Sequence, residues 1–121
     1  MELPDKIKLG FQDIEIHRVK SDFFNNIENA GDFNDKTNVI RLQEGLNNFD
    51  EVNILIHELI HGILIHAGLC GKGQILEDEH HAELVTNLLA NGLTGLFRDN
   101  KPLLLFFYAK LHGFEEGDLK I

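Results

Sequence analysis

The chain has 121 residues, 43% hydrophobic and 26% charged, which excludes disordered and collagen-like classes and gives one compact domain as the expected organisation. Its formal net charge of −9 comes without a dense Lys/Arg patch, so capture of nucleic acid or of an anionic membrane is disfavoured, and a basic peptide or protein suits it better. Cys70 is the single cysteine, which excludes an internal disulfide framework and fits a reducing cytoplasm.

Residues 1–8 lack a basic start followed by an apolar run, so no secretory signal is expected and a cytoplasmic location is the expectation. From residue 6 to 19, Ile7, Leu9 and Phe11, then Ile14 and Ile16, alternate with polar residues at the period of half-buried strands, joined by a hairpin at residues 10–13. Residues 21–29 mix a capping Ser21 and Asp22 with the turn formers Asn25, Asn26 and Asn29, and stay unassigned. Residues 31–42 read as strand, polar turn at 35–38, and strand from 39, an antiparallel pair.

Asp50 is a good N-cap for a helix whose apolar residues continue to Leu69, with an end expected near Gly68. After a loop carrying Gly71 and Gly73, residues 76–97 form an amphipathic helix with Ala82, Val85, Leu89, Leu93 and Leu96 as its stripe, and Gly92 or Gly95 as places where it could break. Pro102 opens a last helix that runs to His112 and closes at Gly113. Neither apolar stretch reads as a membrane span: residues 52–69 hold Glu58 and three histidines, and residues 103–108 fall far short of the roughly 20 needed. The expected fold is α+β, a small, mostly antiparallel sheet packed on about three helices in a single domain.

The chemistry concentrates in His57-Glu58-Leu59-Ile60-His61, the pattern H-E-x-x-H, inside the first helix. Positions four apart on a helix lie about 40° from each other, so both imidazoles project from one face and can grip one Zn2+ ion. Glu58 borders that direction and suits the role of general base, taking a proton from a water whose pKa the ion lowers. The competing reading is a core helix with scattered histidines, but chance matches to the pattern in a chain this short arise at about the per cent level or below.

A catalytic zinc needs a third protein ligand. His66 points about 180° away from His57 on a straight helix and does not close the site. The segment Glu77-Asp-Glu-His-His-Ala-Glu83 opens the next helix, and Glu79, at the edge of its apolar stripe, is preferred over His80 and Glu83. Glu83, one turn on, could instead accept the free N–H of a ligating imidazole. Acidic residues in a first turn also stabilise a helix dipole without binding anything.

H-E-x-x-H on one helix followed by Glu79-His-His-Ala82-Glu83 on the next resembles the gluzincin metallopeptidases, and within them the small ImmA/IrrE-type and related phage or prophage zinc peptidases. The resemblance covers about residues 31–96 and implies His57, His61 and Glu79 as zinc ligands, with Glu58 as base. Glu83 stands where that family usually has Asp or Asn. The resemblance also implies that an extended substrate would pair with an edge strand beside the metal, here residues 39–42. The sequence leaves the oxyanion-stabilising group open among Tyr108, His80, His81 and His112, and reads Cys70 as an incidental loop thiol. The expected function is a zinc-dependent peptidase acting on a peptide or protein; the alternative is a zinc-stabilised interaction module without catalysis.

Overall fold

The computed structural model describes residues 2–20 and 30–114, so the unassigned segment 21–29 lies outside the described residues. Four strands, β1 (Lys6–Leu9), β2 (Gln12–Val19), β3 (Gly31–Asn34) and β4 (Val39–Gln43), precede three helices, α1 (Asn48–His66), α2 (Glu79–Asp99) and α3 (Lys101–His112). The fold is α+β, as the alternation of short strands and then long helical periods implies.

The sheet order is β1-β2-β4-β3. Both expected hairpins form: β1 pairs antiparallel with β2, and β3 with β4. The two hairpins meet through a parallel pairing of β2 with β4, Ile16 opposite Ile40, so the sheet is mixed. Parallel strands need a crossover, and the chain between β2 and β4, which includes β3, supplies it. β4 is therefore an inner strand with a neighbour on each side, which corrects its expected place at the edge; beside α1, the edge is β3.

Alternation places Ile14 and Ile16 of β2 and Ile40 and Leu42 of β4 on one face, and these four form the buried core. Ile54, Leu55 and Leu59 of α1 pack on them from above, together with Ile7, Leu9 and Phe33 of the sheet. Two glycines set how closely α1 lies on the sheet. A Cβ on Gly31 would stand 2.5 Å from the Ile54 Cγ2, and one on Gly62, the residue after His61, would stand 2.8 Å from a Leu9 methyl. This contact fixes the height of the H-E-x-x-H turn above the sheet.

The cap of α1 is Asn47, three residues before the expected Asp50: the Asn47 side chain accepts from the Asp50 amide, so Asp50 lies inside the first turn, where its charge meets the positive end of the helix. α2 begins at Asp78, which accepts from the amides of His80 and His81, and it runs unbroken through Gly92 and Gly95. Its buried residues are Ala82, Thr86, Ala90 and Thr94, whereas Leu89 and Leu96 of the expected stripe are exposed. Each buried threonine hydroxyl donates to the carbonyl four residues back, which removes the polar penalty of placing it against α1. α3 ends at Gly113, whose φ of 74° is the left-handed conformation expected of a closing glycine. No helix among the described residues is long and apolar enough to cross a membrane.

Candidate metal centre

α1 and α2 run antiparallel, and side-chain contacts one turn apart fix their register. Asn53 donates to the side chains of Asn91 and Thr94 at 3.1 Å, His57 reaches the Asn87 side chain, and His61 Nε2 meets Glu83 Oε2 at 2.9 Å. Residues 83, 87 and 91 form one ridge of α2, beside the buried ridge of Ala82, Thr86, Ala90 and Thr94.

The register decides which carboxylate meets the two histidines. His57 Nε2 lies 2.9 Å from Glu83 Oε1, His61 Nε2 lies 2.9 Å from Glu83 Oε2, and the two Nε2 atoms lie 3.1 Å apart. His57, His61 and Glu83 are the group among the described residues whose donor atoms converge as metal ligands do. Glu79, expected in that role, is not in it. Glu79 shares the ridge of Glu83 but stands about 6 Å further along the axis, four residues at 1.5 Å each, past the level of the histidines. There it lines a second cavity with Ile65 and Leu76.

With Glu83 ionised, these atoms cannot all satisfy one another by hydrogen bonds alone. If both imidazoles donate to Glu83, their N–H groups face each other at 3.1 Å with neither accepting. A cation resolves the conflict. Tetrahedral zinc with bonds of about 2.0–2.2 Å holds its ligand atoms about 3.4 Å apart, so shifts of a few tenths of an ångström would seat it. Two imidazoles and one carboxylate are the donor set of a catalytic zinc with its fourth position left open.

The electrostatics follow from depth. Glu58 is only 6% exposed, and its carboxylate lies 3.9 Å from His57 Nε2, adjacent to the ligand triangle and outside it. Burial, then the Glu83 and Asp32 carboxylates, push its pKa up to about 8. Burial and the His61 ring lower the pKa of His57, against the pull of Glu83, which favours the neutral imidazole that a metal requires. Asp32, on β3, accepts from the Arg41 guanidinium, from Nε at 2.8 Å and from Nη2.

The site opens into a cleft of about 970 Å3 between β3, α1 and α2, lined by Asp32, Phe33, Asn53, Glu58, Asn87 and Asn91 as well as the three convergent residues. The second cavity, about 570 Å3, adjoins it across His61 and Glu83 and carries Cys70. Comparison with family models, with curated proteins and with solved structures finds no match for this chain.

The remaining sequence candidates sit elsewhere. His66 is exposed and meets Phe33 edge-on at 6.2 Å. His80 and His81 are exposed in the first turn of α2, and Tyr108 stacks on Phe114 beside His112 at the end of α3. None of these lines the main cleft. Asn87 was missed, although its signal was available: it follows Glu83 by four residues, the spacing that lets a carboxylate and an amide address the same imidazole pair from one ridge.

Proposed function

We propose that this protein is a zinc-dependent hydrolase of peptide or amide bonds, with His57, His61 and Glu83 as ligands and Glu58 as general base. The observation that carries the reading is the convergence of two Nε2 atoms and a carboxylate at 2.9–3.1 Å, with a buried carboxylate beside them in an open cleft. A zinc ion held there supplies Lewis acidity, polarising a substrate carbonyl and bringing a water to ionise near neutral pH. Glu58 then takes the proton of the attacking water and returns it to the leaving amine. Its burial suits both steps, since a carboxyl raised from its ordinary value accepts and releases protons near pH 7, and the charge of a bound ion offsets part of that rise.

Asn87 lines the cleft beside the His57 ring, in the place of the outer support that ligating histidines commonly have. An extended substrate would pair with β3, which has β4 as its neighbour in the sheet and contributes Asp32 and Phe33 to the cleft. This moves the expected docking strand from β4 to β3.

The test is a peptide-library digestion with zinc-loaded wild type and Glu58→Gln. Cleavage by the wild type, reduced by about 10²-fold or more in the variant with zinc content unchanged, supports the proposal. Zinc-replete wild type that cleaves no peptide or amide would instead indicate a metal-stabilised binding module.

A further inference from the structure

The second cavity, about 570 Å3, is bounded by the last turn of α1, the start of α2 and the loop between them, with Asp35, just past β3, on its wall. Its size falls within the range of ligand pockets, about 300–1,000 Å3. Backbone hydrogen bonds fix the loop wall: the Leu76 amide donates to the Leu69 carbonyl at 2.8 Å, and the Gln74 amide to the Gly71 carbonyl at 3.0 Å. His61 and Glu83 belong to this cavity and to the main cleft alike. Whatever occupies the cavity therefore lies beside the candidate metal ligands.

The lining divides by chemistry. Ile65, Leu76 and Ala82 supply apolar surface, Ala82 buried and the other two half-buried. Asp35, Glu77 and Glu79 add exposed carboxylates, and among the described residues none of these three side chains has an ion-pair or hydrogen-bond partner. Elsewhere Asp13, Asp32, Glu51 and Asp99 each meet a lysine or arginine. No Lys or Arg lines either cavity. Lys36 and Lys72, each next in sequence to a lining residue, are exposed and paired with none of these carboxylates.

We propose that this cavity receives a lysine or arginine side chain of the substrate, next to the scissile bond, so that the substrate class is a basic peptide; the inference rests on the peptidase reading above. A long basic side chain has an apolar stem and a charged tip, and the cavity offers surface for each. A bare metal ion fits less well, because the oxygens of Asp35, Glu77 and Glu79 do not converge as ligands do. An acidic side chain would meet these carboxylates and Glu83 as like charges. A recess lined by acids without a fixed cation concentrates negative potential where the basic tip would sit.

Digestion of a peptide library by the zinc-loaded wild type should place Lys or Arg at one fixed position beside the cleaved bond. A matched peptide with norleucine at that position should show a kcat/KM about 10-fold lower. Replacing Glu77 and Glu79 together by lysine should abolish the preference. Glu2→Lys with Glu44→Lys, the same charge change on exposed residues lining neither cavity, should leave it unchanged. A binding readout separates this pocket from the peptidase reading. In NMR titrations of zinc-loaded Glu58→Gln, an octapeptide of alanine and glycine with one central arginine should shift the amides of residues 68–79. It should also bind about 10-fold more tightly than its norleucine counterpart. Cleavage without a basic preference, or a preference that survives the double charge reversal, overturns the pocket and leaves the peptidase standing. Arginine-dependent binding at residues 68–79 with no cleavage of any peptide supports the pocket and removes the peptidase. Equal binding of the arginine and norleucine peptides overturns the pocket whether or not peptides are cleaved.

Discussion

Removing the charge of Glu58 from the metal-free protein should stabilise it, by an amount that grows with pH. The folded carboxyl has a pKa near 8 against 4.5 unperturbed, because it is 6% exposed and faces Glu83 and Asp32. Between those values the folded protein binds more protons than the unfolded chain, so the contribution of Glu58 is most favourable below about pH 4.5 and is lost as pH rises to about 8. At 1.36 kcal/mol per pKa unit, this loss is about 3 kcal/mol by pH 7 and several kcal/mol at saturation. Glutamine keeps the shape and does not titrate. Urea unfolding of metal-free wild type and Glu58→Gln at a series of pH values should therefore show midpoints that nearly coincide at pH 4 and separate by roughly 2 M above pH 7, the variant being the more stable. The lowered pKa of His57 contributes similarly to both proteins and largely cancels. Saturating zinc should close much of the gap, because a dication favours the ionised carboxylate. Parallel pH profiles for the two metal-free proteins would refute the buried, charge-opposed placement of Glu58.

Other expectations concern the supports of the site. Asn87→Ala should lower zinc affinity or turnover by about 10- to 100-fold while leaving the fold intact by circular dichroism; an unchanged affinity and rate would remove Asn87 as the partner of His57. Gly31→Ala should destabilise the protein by about 1–3 kcal/mol in urea unfolding, because its methyl meets the stiff Ile54 side chain and the Arg41 carbonyl, and a neutral effect would show that α1 rides further from β3. Zinc occupancy, followed by metal analysis after equilibrium dialysis, should fall as the pH drops below about 6, where protons compete for the imidazoles; full occupancy at pH 4 would contradict histidine ligation.

The sequence carried the parts of this fold that local chemistry decides. Alternation at Ile14 and Ile16, the Asp35 to Asn38 turn and the closing Gly113 each act within a few residues, and both hairpins and all three helices lie where those signals put them. The H-E-x-x-H pair was legible for the same reason, since a four-residue spacing on one helix fixes a shared direction. What failed to show was registration between elements. The choice of Glu83 over Glu79 depends on which turn of α2 stands level with His57 and His61, and periodicity fixes an angle around a helix, not a height along it. The parallel joint of β2 and β4, which turns β4 into an inner strand, is likewise set by tertiary pairing. The buried ridge of α2 misled for a further reason: close packing on α1 takes small side chains, so the leucines that dominate its apolar pattern lie on other faces.

The central claim is one cation held by His57, His61 and Glu83, and calorimetric titration of zinc into metal-free protein tests it most directly. One site per chain is expected in the wild type, weakened by about 100-fold or more in Glu83→Gln and within a few-fold of wild type in Glu79→Gln. Equal affinity in Glu83→Gln and wild type, or a loss confined to Glu79→Gln, would contradict the account.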